Sequence, residues 1–408
     1  SVDSIQAYAF AGLTTLDSIT IPKSVKKIGK YAFDKCTGLD QTRYTGDIAS
    51  WCAIDFANAS ANPVAYSSNL VVGDVLVQDL VIPSGVTRIG NYAFAGCDLL
   101  SVTLPTSLQY IGDYAFQECD WLITTRFMGD IAAWCAIDFA TPTANPVTQS
   151  TNLVLDSTEV IDLVIPEGVQ KISNYAFYNC TSIQSVSIPS SVREIGEATF
   201  SYCEQLGTIY WNARTMTETS PFAPVASQIT SLTFGPDVDS VPAKLCYQME
   251  SLQQVTLPAS ITHIGAGAFS LCNQLQRTNY LGDVASWCNI QFDSPSANPI
   301  YQSNNLYING QELRELVVPH TATAIHDNAF YNCHSLVSVT IPSSVRSIGQ
   351  NAFFDCRNIN MTQYIGDVAS WSTIDFSCVQ SNPIYYSHNL YINGQELREL
   401  VLDSAQQV

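Results

Sequence analysis

Thirteen cysteines, five histidines and a recurring set of aspartates are the residues in this chain whose chemistry could build a site. Cys36, Cys97, Cys119, Cys180, Cys203, Cys272, Cys333 and Cys356 each close a Phe-x-x-Cys tetrapeptide, and Leu13 and Met249 hold the same slot elsewhere. A slot that accepts Leu and Met as well as Cys reads as a buried apolar position, filled by a free thiol. Cys52, Cys135 and Cys288 follow a tryptophan where a fourth copy has Ser372, and Cys246 and Cys378 fall outside both patterns. No C-x-x-C pair occurs, so zinc of ordinary spacing is not expected. Disulfides between stacked copies stay open as the alternative, more so in an oxidising compartment. The odd number leaves at least one thiol unpaired.

His320, His326 and His334 fall close together, beside Cys333. A metal would need three or four donors converging at about 2.0–2.3 Å. Solvated surface histidines are the plainer expectation. Asp47, Asp130, Asp283 and Asp367 each precede an apolar helical pattern and read as helix N-caps. None has calcium-loop spacing. The chain carries no G-x-S-x-G, H-E-x-x-H, phosphate loop or G-x-G-x-x-G. Nearly every distinctive residue recurs, whereas a catalytic constellation is normally unique. No catalytic residue, metal or cofactor is therefore assigned, and a non-enzyme is expected.

Charge narrows the field further. Seventeen Lys and Arg stand against 36 Asp and Glu, a formal charge of −19, and only 13% of residues are charged. Nucleic-acid recognition needs clustered cations, so it is not expected. No apolar run is long enough to span a bilayer.

The elements that must carry these residues are counted by prolines. Leu99-Leu100-Ser101-Val102-Thr103-Leu104-Pro105 recurs as Leu16 to Pro22, Ile183 to Pro189, Leu252 to Pro258 and Leu336 to Pro342, with looser copies ending at Pro83, Pro166, Pro236 and Pro319. Successive prolines are 61, 22, 61, 23, 47, 22, 61 and 23 residues apart. The unit is thus 22–23 residues, with a longer cassette inserted at alternate steps. In one unit Val339 and Ile341 should point inward and Ser338 and Thr340 outward. Pro342, lacking an N–H, should stop the ladder. Val345 and Ile348 offer a second apolar segment, Gly349 a turn free to take positive φ, and Ala352-Phe353-x-x-Cys356 a single helical or 3₁₀ turn. Such a unit cannot bury its own apolar face, so copies must stack.

These residues resemble the BspA-like, or Treponema pallidum-type, branch of leucine-rich repeats, whose pattern is close to Leu336 to Cys356 and Leu99 to Cys119. The resemblance implies an α+β repeat fold, a β-rich leucine-rich-repeat solenoid with short helical turns, as one array over residues 1–408. It also implies a bacterial surface or secreted protein engaged in adhesion.

The cassettes, about 41–79, 124–162, 277–315 and 361–399, lie outside the basic repeat. Each reads as a short helix after its aspartate, an Asn-Pro turn (Asn62-Pro63, Asn145-Pro146, Asn298-Pro299, Asn382-Pro383) and a hairpin, clearest at Asn309-Gly310. Helix and hairpin should bulge from alternate rungs. A shorter atypical insert, about 207–235, carries Trp211, Met216, Phe222 and Phe234 and reads as a packed loop. Ser1-Val2 aligns with Ser24-Val25, and Asp403 stands where a rung would end in proline, so a fragment of a longer surface protein is expected.

Two surfaces are candidates for binding. The outward strand residues Ser18, Thr20, Asp79, Ser101, Thr103, Asp162, Ser185, Ser187, Gln254, Thr256, Glu315, Ser338 and Thr340 should form a shallow, polar, mildly negative face without the buried aromatic anchors of a tight interface. The cassette tyrosines Tyr66, Tyr301, Tyr307, Tyr385, Tyr386 and Tyr391 suit sugar stacking or protein contact, or simply cover the cassette's own core. The expected role is a non-catalytic surface or secreted module that binds extracellular or cell-surface proteins. Glycan binding through the cassette aromatics, or a structural stalk, are the alternatives.

Overall fold

The computed structural model describes residues 2–214 and 220–400. The chain divides into two compact units, Ser1–Leu206 and Gly207–Val408.

In the first unit, the segment before each repeat proline is a strand. Ser18–Ile21, Gln41–Tyr44 and Leu70–Val72 pair in parallel. Asp79–Val81, Ser101–Leu104, Thr124–Phe127 and Leu153–Leu155 form a second parallel run, and Asp162–Val164 and Ser185–Ile188 a third. Val102 and Leu104 are fully buried while Ser101 and Thr103 face outward, as the period of two requires. After the proline a narrower ladder follows, as in Arg88–Ile89, Tyr110–Ile111 and Asp138–Phe139, each burying its second residue. The Ala-Phe-x-x-Cys stretch then folds as successive tight turns, with Ala115 N donating to Gly112 O and Cys119 N to Phe116 O. Its phenylalanines stack from rung to rung, Phe10 on Phe33 and Phe94 on Phe116 at 5.5 Å.

The second unit repeats the plan. Thr208–Trp211, Ser231–Phe234, Gln254–Leu257, Arg277–Tyr280 and Tyr307–Ile308 pair in parallel. Glu315–Val317, Ser338–Pro342, Met361–Ile365 and Tyr391–Ile392 form the next run. Both units are therefore β-rich leucine-rich-repeat stacks with short helices.

Several local expectations need correction. Pro342 does not stop its ladder: it registers against Ile365, and Ser343, one step on, donates to the Ile365 carbonyl at 2.9 Å. The ladder steps over the missing donor. Gly349 is not at positive φ. A Cβ there would come within 2.5 Å of the Asp327 backbone N, so this glycine permits close approach of the neighbouring rung. The left-handed position lies two residues later, at Asn351 (φ 56°), and Tyr31, Tyr92 and Tyr114 hold the same slot in the first unit.

The cassettes do not bulge from the stack; they extend it. Gln41–Tyr44 is itself a rung strand, Asp55–Phe56 joins the narrow ladder beside Lys27–Ile28, and Leu70–Val72 returns to the main sheet. Inward-facing Thr42 is fully buried because its hydroxyl bonds to Ser67 Oγ at 2.9 Å. Thr125–Ser150, Thr278–Ser303 and Thr362–Ser387 repeat that pair at 2.7 Å. The Asn-Pro pair begins a second helix rather than a simple turn, Val64–Ser67 in the first cassette and Ile300–Ser303 in the third. The hairpins form as expected, with Asn309 (φ 49°) and Gly310 (φ 83°) between Tyr307–Ile308 and Gln311–Glu312. The atypical insert is less a loop than a rung: Trp211 and Phe234 are in-register strand residues, and Phe222 packs edge-on against Trp211 at 5.9 Å. Met216 lies outside the described residues.

Candidate interaction surface

The outward strand residues are brought together in register, and the cassettes add members that the periodicity of the basic repeat does not reach. In the first unit Asp79, Ser101 and Thr124 form one column, and Val81, Thr103, Arg126 and Val154 the next. Ser18 pairs with Gln41, and Thr20 with Arg43. Asp162 lies beside Ser185, and Val164 beside Ser187. In the second unit Gln254 lies between Ser231 and Arg277, and Thr256 between Thr233 and Asn279. Glu315, Ser338 and Met361 form another column, beside Val317, Thr340 and Gln363.

Part of this face is bonded to itself. The Ser101 and Ser185 hydroxyls donate to Asp79 and Asp162 on adjacent rungs. Gln254 donates to Ser231 Oγ at 3.2 Å, and Asn279 to Thr256 Oγ1 at 3.4 Å.

The six cassette tyrosines do not gather at one place. Tyr307 and Tyr391 belong to the strand face, opposite Asn279 and Gln363, and the Arg277 guanidinium lies 4.1 Å over the Tyr307 ring. Tyr66 is half-buried, donating to Asp34 and Ser60 and accepting from Lys35 N at 3.2 Å. The Tyr386 hydroxyl accepts from Asp355 N. These two are structural. Tyr301 and Tyr385 are exposed, the first against Tyr331 at 5.6 Å and the second edge-on to Tyr386 at 5.0 Å.

The aspartates are caps. Asp47, Asp130, Asp283 and Asp367 each accept the N–H of the residue three positions on. In the first, third and fourth cassettes that residue is serine, which closes a reciprocal capping box. Ser50 acting on Asp47, and Ser286 and Ser370 on theirs, hold these carboxyls below the usual range.

All thirteen cysteines are free thiols; twelve are buried and Cys378 is half-buried. The thiols of Cys119 and Cys356 donate to the Phe94 and Phe330 carbonyls one rung back, at 3.1 and 3.0 Å. Burial pushes Cys52, Cys97 and Cys288 up to about 12. Cys378 differs: burial works to raise it, but the Ser381 hydroxyl and the Asn351 N–H outweigh that and lower it.

His320 and His326 are exposed. His334 bonds to Asp355 at 3.1 Å. No group of three or more metal-donor side chains converges among the described residues. One constellation has triad connectivity: Ser240 Oγ lies 3.2 Å from His263 Nδ1, and His263 Nε2 lies 2.9 Å from Asp293. Ser240 and His263 are register partners on the narrow ladder, as Lys27–Asp55 and Lys171–Glu194 are, and Asp293 follows the next ladder strand, Gln291–Phe292. Cross-strand pairing accounts for it.

One feature escaped the periodicity argument. Trp121 and Ile123, each 65% exposed, flank the buried Leu122 at the start of Thr124–Phe127. Trp121 is an exposed ring at this edge, outside the strand-face residues that the alternation picks out. Only side-by-side alignment of the four cassettes could have exposed the pair.

Parallel rung strands, a buried Phe-x-x-Cys ladder and an outward polar face define a leucine-rich-repeat protein. The model of the BspA type leucine rich repeat region (6 copies) matches residues 1–73, 73–134, 152–281 and 302–399, and the chain belongs to that family. No curated protein matches it. Among solved structures it is similar to a leucine-rich repeat protein from Bacteroides ovatus, at 21% identity over 92% of this chain and 87% of that one, TM-score 0.37. It is also similar to a leucine rich cell surface protein from Faecalibacterium prausnitzii, at 21% identity over 73% and 90% of the chains, TM-score 0.25. A third is the Treponema pallidum leucine rich repeat protein, at 21% identity over 53% and 73%, TM-score 0.19. No helix among the described residues is long and apolar enough to cross a membrane.

Proposed function

We propose that the chain is a non-catalytic interaction module, displayed on a bacterial surface or secreted, that adheres to extracellular or cell-surface proteins through its strand face. The observation that carries this reading is the in-register column of short hydroxyls and carboxylates, Asp79–Ser101–Thr124 in one unit and Glu315–Ser338 in the other. Many similar weak contacts on one chain raise avidity without a deep pocket. The same 22–23-residue step continues through both units, which supports reading residues 1–408 as one array. An array of extracellular-matrix and cell-surface proteins tests the function. Binding that weakens in Asp79→Ala/Asp162→Ala/Glu315→Ala supports it; uniformly blank results, with a longer chain included, overturn it.

A glycan ligand is the second reading, supported by the exposed rings of Tyr301 and Tyr385 beside second tyrosines. A glycan array separates the two readings, with Tyr301→Ala and Tyr385→Ala expected to remove any signal.

A further inference from the structure

The four cassettes are internal controls for one another. The slot of Trp121 holds Gly38, Gln274 and Asn358 in the other three, and that of Ile123 holds Asp40, Gln276 and Asn360. The fold thus needs neither aromatic nor aliphatic side chains there. On the preceding rung Leu100, 39% exposed, stands where Asp17, Gln184, Gln253 and Val337 stand in sister rungs, a slot that accepts polar residues in three of those four. The Ile123 N–H donates to the Leu100 carbonyl at 3.0 Å, so Leu100 and Ile123 lie on adjacent rungs of one sheet edge. An exposed apolar cluster that the repeat does not require marks a recognition site, and Trp is the residue type most enriched among interface hot spots.

The surroundings specify the charge of what binds. From residue 45 to residue 170 there are fourteen Asp and Glu and two cations, Arg88 and Arg126. Arg88 is engaged over the Tyr110 ring at 4.1 Å. Asp98 holds the Trp121 slot one rung earlier, Asp120 directly precedes Trp121, and Glu118 is exposed close by in sequence. An apolar anchor in a mainly acidic field, here with Arg126 as an exposed exception, selects a partner of opposite charge and speeds its encounter.

We propose that Leu100, Trp121 and Ile123 form the anchor point of the first unit for a cationic protein segment, one presenting an aliphatic or aromatic side chain between lysines and arginines. The proposal rests on the interaction-module reading and names the partner's chemistry. A neutral or acidic segment would meet the same apolar cluster without the surrounding attraction.

The test uses the whole chain and three labelled synthetic peptides: a lysine-rich peptide with a central Leu-Phe, the same peptide with Ser-Ser, and a glutamate-for-lysine version. Fluorescence anisotropy is read at low ionic strength and again at physiological ionic strength, where the Debye length is about 8 Å. The Leu-Phe lysine peptide should bind most tightly, with salt weakening it, and the glutamate peptide least. Trp121→Gln/Ile123→Gln, which imports the residues of the third cassette, should weaken the Leu-Phe peptide by about tenfold or more with an unchanged melting curve. Equal binding to that variant, equal binding of the Ser-Ser peptide, or no binding at low salt overturns the anchor. The protein array distinguishes this from failure of the wider reading: array binding that survives Trp121→Gln/Ile123→Gln leaves the module and removes the anchor.

Discussion

The indole N–H of Trp134 donates to the carbonyl of Ala176, 42 residues ahead, at 2.8 Å. Asn145 Nδ2 donates to the same carbonyl at 3.0 Å and to Tyr175 O at 2.9 Å, while its Oδ1 accepts from Val147 N. Trp51 and Asn62 grip Ala93 in the same way, and Trp287 and Asn298 grip Ala329. Each of the first three cassettes is thus riveted to the rung that follows by a buried, saturated amide and an indole. In the fourth cassette the Asn382 side chain bonds only to Ile384 N among the described residues.

Asn145→Ala removes the amide from the part-buried Tyr175 carbonyl and from Val147 N–H, leaves Ala176 O to the Trp134 indole alone, and opens a small void. Stability should fall by about 2–3 kcal/mol. Asn382→Ala should cost under about 1 kcal/mol, since it loses one local bond. Urea unfolding followed by circular dichroism compares the two. Equal losses would mean that the amide serves its own helix rather than the next rung.

Tyr and Ser vary together across the cassettes. Tyr44, Tyr280 and Tyr364 accompany Ser50, Ser286 and Ser370, whereas the second cassette has Phe127 with Ala133. The three tyrosine hydroxyls are buried without a well-formed hydrogen bond. Burial raises the Tyr280 pKa, while the Ser286 side chain works to lower it. Because the geometry is poor, Tyr280→Phe should leave stability within about 0.5 kcal/mol of the parent. Ser286→Ala should cost about 1 kcal/mol through the broken capping box. A double-mutant cycle read from unfolding midpoints checks this; coupling above about 1 kcal/mol would show a strong Tyr–Ser bond after all.

Much of the fold was legible because proline falls at a fixed phase after each strand and the Phe-x-x-Cys slot marks each turn. The cassette strands were not, because Gln41-Thr42-Arg43-Tyr44 hides its inward residue as a threonine, whose hydroxyl is satisfied by Ser67 some 25 residues away. Asn62 read as a turn former because its partners, Tyr92 and Ala93, lie 30 and 31 residues ahead. Gly349 was misassigned since close approach and positive φ both select glycine. The strand-face columns followed from alternation, but Tyr307 and Tyr391 joined them only through register. Trp121 was invisible to any argument that treats the four cassettes as equivalent.

Acid should weaken the caps in a defined direction. Asp47, Asp283 and Asp367 titrate below the unfolded aspartate value of about 3.9. Their contribution is therefore complete above that value and is lost as pH falls through the lower folded-state value. Asn caps a helix about as well as Asp. Asp47→Asn/Asp283→Asn/Asp367→Asn should stay folded at neutral pH and flatten the acid limb of stability against pH. Urea midpoints from about pH 5 down to 2 read the slope. A slope identical to the parent's would place acid sensitivity in other carboxylates.

Cys378 occupies a slot whose task is to accept the backbone N–H of the left-handed residue one rung back. Asn58 does this for Tyr31, Thr141 for Tyr114 and Ser294 for Gly267, at 3.0–3.1 Å; Cys378 Sγ does it for Asn351 at 3.3 Å. The same N–H, with the Ser381 hydroxyl, favours the thiolate. The other thiols are buried, donating to carbonyls or raised by burial, and should be inert in the folded chain. Iodoacetamide at about pH 8 should give one adduct, on Cys378, with the remaining twelve labelled only in denaturant. Cys378→Ser restores the acceptor found at Ser294, so it should abolish native labelling while changing stability by less than about 0.5 kcal/mol. Peptide mapping by mass spectrometry reads the site. Rapid native labelling of Cys52, Cys97 or Cys288 would show that the stack opens far more readily than its sealed ladder implies.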